Sequence, residues 1–125
     1  MKKVLLAATL VFAAAACATR PIAPITGNVP VERSLKQVEA AIARAAVART
    51  WQVKNTGAGS VELTLVNRKH TVIVDVKYTK ETYTIAYKNS VNMKYNAANN
   101  TIHPKYTNWV NNLRLAIDQE LVKTP

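Results

Sequence analysis

Apolar residues first recur at helical spacing at Leu35, Val38, Ile42 and Ala45, with Ala41 and Ala46 widening the stripe. Ser34 and Gln37 stand three apart at its start. That is the spacing of a capping box, in which the serine side chain bonds the Gln37 amide and Gln37 reaches back. The pattern predicts a helix over 35–49, with Arg44 and Arg49 toward the negative end of its dipole. The period then changes to two. Val61, Leu63 and Leu65 alternate with polar neighbours, as do Val72, Val74 and Val76, then Tyr83, Ile85 and Tyr87. A two-residue turn at Arg68-Lys69 pairs Asn67 with His70, Leu65 with Val72, Leu63 with Val74 and Val61 with Val76. A turn at Lys80-Glu81 pairs Tyr78 with Tyr83, Val76 with Ile85 and Val74 with Tyr87. Both registers put every apolar triplet on one face, which a slip of one residue would undo. Neither turn has the Asn-Gly chemistry that tight hairpins favour, so a bulge or longer loop is open at each.

A turn over 57–59 adds a first strand over 51–55, with Trp51 opposite Leu65 and Val53 opposite Leu63. Residues 91–95 either extend the last strand or form a short fifth one. His103-Pro104 opens a second helix with proline at its first position. Tyr106, Trp109, Val110, Leu113, Ile117 and Leu121 form its apolar stripe. The expected fold is α+β: a four-stranded antiparallel meander with an N-terminal and a C-terminal helix packed on its one apolar face, in the order α-β-β-β-β-α.

Upstream of residue 34, Pro21, Pro24, Gly27 and Pro30 interrupt any period. Residues 17–33 are expected to be a proline-rich tether, and 34–125 the single domain it carries, with a reach of roughly 3 Å per residue. Ahead of it, Lys2 and Lys3 precede an uncharged apolar run over 4–16. That run is too short to span a bilayer, which takes about 20 residues, and suits the apolar core of a secretory signal. Residues 1–16 are therefore expected to be a signal peptide. Ala14-Ala15-Ala16-Cys17 resembles the lipobox of bacterial lipoproteins, departing from it at Ala14, where leucine is usual. The resemblance implies that the Cys17 thiol takes diacylglycerol, that the chain is cut just before it, and that the new amine is acylated. Two or more acyl chains hold a protein stably on a bilayer. An ordinary secretory signal cut after Ala16 or Ala18 is the alternative. Ala18, standing where aspartate retains lipoproteins in the inner membrane, implies the outer membrane with the domain facing the periplasm. The periplasmic face of the inner membrane and the soluble periplasm are the alternatives.

Composition narrows the choice further. The chain has 125 residues and 49% apolar content, enough for one domain with a real core. Its single cysteine excludes an internal disulfide and a cysteine zinc cluster. Lysine and arginine number 17 against 7 acids, and Lys54, Arg68, Lys69, Lys77, Lys80, Lys88 and Lys94 fall on strands or turns, so positive charge is expected around the sheet. An exported chain meets no nucleic acid. Its anionic partners are lipid headgroups, lipopolysaccharide phosphates, peptidoglycan or an acidic envelope protein, and the competing reading is a merely solvated surface.

Catalytic signals are missing at the level of motif: there is no HxxxH, CxxC, nucleophile elbow or glycine-rich phosphate loop. No catalytic residue, metal or cofactor is assigned. His70 reads as a hairpin-edge residue, His103 as a helix cap and Asp75 as a surface charge; nothing in their spacing predicts a metal site. The asparagine-rich stretch 89–112 is more suggestive. Asn92, Tyr95, His103, Tyr106 and Trp109 combine amides with aromatic faces, the chemistry that binds sugars or peptides. The competing reading gives the asparagines to turns and the aromatics to the core.

The segments YKNSVNMKY (87–95) and IHPKYTNWV (102–110), downstream of Trp51, resemble a family of short proteobacterial lipoproteins of unknown function. The resemblance implies a location and no activity. The expectation is a membrane-anchored lipoprotein acting as a non-catalytic envelope binding or assembly accessory. The alternatives are a module for glycan or anionic envelope polymer using 89–112, and a small hydrolase. An exposed edge strand leaves self-association open.

Overall fold

The Ser34 hydroxyl accepts the Gln37 amide at 3.1 Å, and the Gln37 side chain accepts the Ser34 amide at 2.8 Å, closing the expected capping box. In a computed structural model, which describes residues 18–123, this cap opens helix α1 (Leu35–Ala48). Two short strands precede it, β1 (Arg20–Pro21) and β2 (Ile25–Asn28). Four longer ones follow: β3 (Gln52–Gly57), β4 (Ser60–Asn67), β5 (His70–Tyr78) and β6 (Thr82–Val91). The chain ends with β7 (Thr101–Ile102) and helix α2 (Pro104–Val122). The expected signal peptide and Cys17 lie outside the described residues.

The main sheet is antiparallel and runs β2-β6-β5-β4-β3. Asn67 pairs with His70, Leu65 with Val72, Leu63 with Val74 and Val61 with Val76, the register that the alternation predicts. Tyr78 pairs with Tyr83, Val76 with Ile85 and Val74 with Tyr87, again as expected. The register then shifts, because Ile73 faces Asn89. Lys88 is the extra residue. This bulge turns its ammonium toward Glu62 at 2.7 Å and Asp75 at 3.8 Å on the open face. Val53 faces Leu63, and a shift between Asn55 and Gly57 tightens the first hairpin to a turn on Ala58-Gly59, with Gly59 at φ 78°.

The sheet has five strands, which corrects the expected four. The fifth is β2, from the stretch read as a tether, and not the segment after Val91. Pro24 and Pro30 stand just outside its ends, where a missing amide costs no ladder bond. Between them Ile25 pairs with Ile85, and Thr26 pairs with Thr84, their hydroxyls 3.1 Å apart. Gly27 lies opposite Tyr83. A Cβ built there would meet the Tyr83 ring at 2.3–2.4 Å, so only glycine lets the strand close on it. Ile22, Ile25 and Val29 pack against the core, and β1 pairs with β7. From Arg20 onward the expected tether is part of the domain.

Both helices cover the same sheet face. Val38, Ile42 and Ala45 of α1, and Val110, Leu113 and Ile117 of α2, are buried with Leu63, Val74, Val76 and Ile85. The Tyr83 hydroxyl donates to Asp118 of α2 at 2.5 Å, and Arg114 holds the same carboxylate at 3.2 Å. Burial, then this bond to Asp118, pushes the Tyr83 phenol well above its usual range. The helices run antiparallel: Arg33 reaches the Leu121 carbonyl, and Arg44 pairs with Glu120 at 2.9 Å. The C-terminus of α1, the β4–β5 turn, the β1–β7 pair and the N-terminus of α2 consequently gather at one end of the molecule.

Candidate ligand-binding site

Helix α1 stops in a Schellman turn. The Trp51 amide donates to the Ala46 carbonyl at 2.8 Å and the Thr50 amide to Val47 at 3.0 Å. The turn needs a left-handed residue, and Thr50 supplies it at φ 67° where glycine is usual. Its hydroxyl donates to the Arg49 carbonyl at 2.5 Å. Such strain in a β-branched residue costs of order 1–3 kcal/mol and collects at functional sites. Here it borders a crevice.

The crevice has a volume of about 160 Å³ and is lined by Arg49, Thr50, Trp51, Leu65, Asn67, Trp109 and Asn112. That is room for about five water molecules or one ring-sized polar group. Leu65 and the buried Trp51 belong to the core, and the half-buried Trp109 comes from α2. Asn67 and Asn112 bring amides and Arg49 an exposed guanidinium. Of the residues expected to bind, only Trp109 lines it. Arg49, Thr50, Trp51, Asn67 and Asn112 were not expected there.

Trp109 leads to the histidines. Its ring lies 6.2 Å from that of His70, which lies 5.9 Å from His103. His70 Nδ1 is 2.7 Å from the Asn92 carbonyl, which can only accept, so this nitrogen carries the proton. His103 Nδ1 instead accepts the Lys105 amide at 3.0 Å, capping α2, so its neutral ring carries the proton on Nε2. That tautomer keeps Nε2 of His103 from coordinating a metal unless the cap is given up. Burial, then His70, Lys105 and Lys94, hold the His103 pKa below its usual value. Among the described residues, no three histidine, cysteine or acidic side chains stand close enough to hold a metal ion.

The other expected residues sit further round the same end. Asn92 is left-handed at φ 59°, and its amide donates to the Lys69 carbonyl at 2.8 Å, tying two loops together. Asn96 accepts the Ala98 amide, Asn99 accepts the Thr101 hydroxyl, and Asn100 donates to Ile22. Asn96 and Asn99 serve local turns, whereas Asn92 and Asn100 tie distant segments together. Tyr106 is buried, and burial raises its pKa. It meets Tyr87 edge-on at 5.8 Å, and Tyr87 in turn stacks at 4.5 Å on Tyr95, which is 42% exposed.

A second, larger groove of about 540 Å³ lies between α1 and the edge strand β3, over Ala40, Ala43, Val53 and Val61. Lys36, Gln37, Glu39, Arg44 and Asn55 line it as well; unlike the crevice it has a carboxylate and no aromatic ring. No described helix is long and apolar enough to cross a membrane. Comparison of the chain with protein-family models, with curated proteins and with solved structures finds no match to any of them.

Proposed function

We propose that the protein is a lipid-anchored, non-catalytic binding module of the bacterial envelope, and that its crevice takes a saccharide group bearing a carboxylate or phosphate. The observation that carries the ligand class is the crevice lining: two indoles, two amides and a guanidinium, with no carboxylate among them. The half-buried Trp109 offers an indole face to a sugar ring in the crevice it shares with the buried Trp51, amides bond hydroxyls, and a guanidinium bonds an anionic group in bidentate fashion. The two histidines beyond Trp109 have structural duties, His70 on Asn92 and His103 on the α2 cap, which favours binding over catalysis. Anchoring rests on the lipobox around Cys17. Ala18, where aspartate would retain a lipoprotein in the inner membrane, supports the outer membrane, with the domain facing the periplasm.

Titration of the purified protein with N-acetylmuramic acid, followed by tryptophan fluorescence, tests the ligand class. Saturable change is expected by roughly 10 mM, where a millimolar site is filled. Uncharged N-acetylglucosamine should bind more weakly; Arg49→Ala should abolish the difference between the two, and Asn112→Ala should weaken both. Unchanged emission and unchanged quencher access to Trp109 with both sugars would overturn the ligand assignment.

A further inference from the structure

Chain entry and charge fall at the same end of this molecule. The seven acids of the sequence are Glu32, Glu39, Glu62, Asp75, Glu81, Asp118 and Glu120. Glu32 and Glu39 lie at the start of α1, Glu62 near the start of β4 and Glu81 in the β5–β6 turn. Asp118 and Glu120 lie in the last turns of α2, and Asp75 in mid-strand. None lies at the opposite end, which carries Arg20, Arg49, Arg68, Lys69, Lys94 and Lys105, all exposed. Among the described residues no carboxylate forms an ion pair with any of the six. Elsewhere Arg44, Lys88, Arg114 and Lys123 are paired, and Arg33, Lys36, Lys54, Lys77 and Lys80, though unpaired among the described residues, share their parts of the surface with the seven acids. The N-terminus of the 19-residue α2 adds its positive dipole at this end. The exposed Val91 and Tyr95 are there too.

The chain enters at this basic end. Arg20 pairs with Ile102, the Ile22 amide donates to the Asn100 carbonyl, and Asn100 returns a bond to Ile22. Only Ala18 and Thr19 separate Cys17 from Arg20. Three extended residues reach roughly 10 Å at most. A lipid on Cys17 therefore brings this end of the domain onto the bilayer surface.

We infer that the acid-free end is a membrane-docking face, seated on anionic lipid headgroups with the sheet and helices standing away from the bilayer. This inference rests on the lipid anchor at Cys17. The bilayer supplies the charge that Arg20, Arg68, Lys69, Lys94 and Lys105 lack within the protein, Arg49 being the cation of the crevice. Each basic residue near an anionic surface strengthens binding roughly fivefold. Tyr95 suits the headgroup region, where an aromatic ring has one face in each medium. The short connection fixes which end faces the lipid; the charges fix the tilt.

The test uses the full chain purified from its native membrane and reconstituted in phosphatidylcholine vesicles containing phosphatidylglycerol. Exposed Ala97, at the basic end, and exposed Ala58, in the far hairpin, are replaced one at a time, Ala97→Cys or Ala58→Cys, and labelled with a fluorophore. A quencher on the lipid headgroups reads their distance from the bilayer. Strong quenching at position 97 and several-fold weaker quenching at 58 is the expected result. Arg20→Glu with Lys94→Glu and Lys105→Glu should narrow the contrast by tilting the domain, and should weaken membrane partitioning of the unlipidated chain roughly 100-fold. Equal quenching at both positions, in protein that still floats with vesicles, overturns the docking face and leaves the anchor standing. Protein that does not float and carries no lipid overturns the anchor, and the docking face with it.

Discussion

Gly27 is where a single residue decides how the N-terminal segment is held. Tyr83 has no exposed surface and its hydroxyl is fixed on Asp118, so its ring cannot yield to a new methyl group. Gly27→Ala is expected to cost about 1–3 kcal/mol, the range for overpacking a well-filled site. Hydrogen exchange should localise the loss. Amides of residues 25–28 lose protection while those of β4 and β5 keep theirs; unchanged protection at 25–28 would contradict the close packing. The sequence marks Gly27 as a breaker, and nothing local distinguishes a loop glycine from one under an aromatic ring. The crevice is hidden for a related reason. Arg49 and Thr50 come from a helix end, Asn67 from a strand end and Asn112 from the second helix. Alternation says which face Leu65 takes, but not which helix turn lies over it.

At the scale of elements, strand register is the part most legible in advance. In a half-buried sheet a one-residue slip turns the apolar set outward, and the two-residue turn at Arg68-Lys69 then selects the register in which Val61, Leu63 and Leu65 meet Val76, Val74 and Val72. The capping box on α1 was readable for the same reason of fixed spacing. The bulge at Lys88 and the edge strand β2 were not. One depends on the open face, where Lys88 finds Glu62, and the other on prolines that border a strand as readily as they interrupt one. The α2 cap carries a pH dependence. The His103 pKa is held below its ordinary 6.5, so the unfolded chain takes up the proton first as pH falls. The stability this group contributes is complete above about pH 6.5 and is lost as pH falls below it, down through the lower folded-state pKa. His103→Asn keeps a capping side chain without the titration. Urea unfolding between pH 7.5 and 5 should show the slope in the wild-type protein and a flatter profile in the variant. Identical profiles would contradict the cap assignment.

Over the whole molecule, the basic excess separates by location. On the open sheet face, Lys88 is balanced by Glu62, whose carboxyl it holds below the usual range. Positive charge was expected around the sheet, where Lys54, Lys77 and Lys80 stand unpaired among the described residues; what sets one end apart is that six further cations share it with no acid. That segregation was present in the sequence as an acid-free stretch from 82 to 117. It became meaningful only when the fold brought Arg20, Arg49, Arg68 and Lys69 to the same end. The docking of residues 20–29 also replaces a long spacer by a short connection, which ties the domain's position to the chemistry of Cys17.

Intact mass and membrane fractionation of the protein from its native envelope, beside a Cys17→Ser variant, test that chemistry directly. The expected result is a membrane-bound wild-type protein heavier than residues 17–125 by the mass of its acyl chains, and a Cys17→Ser variant without the added mass. A wild-type protein found unmodified and soluble in the periplasm would contradict it.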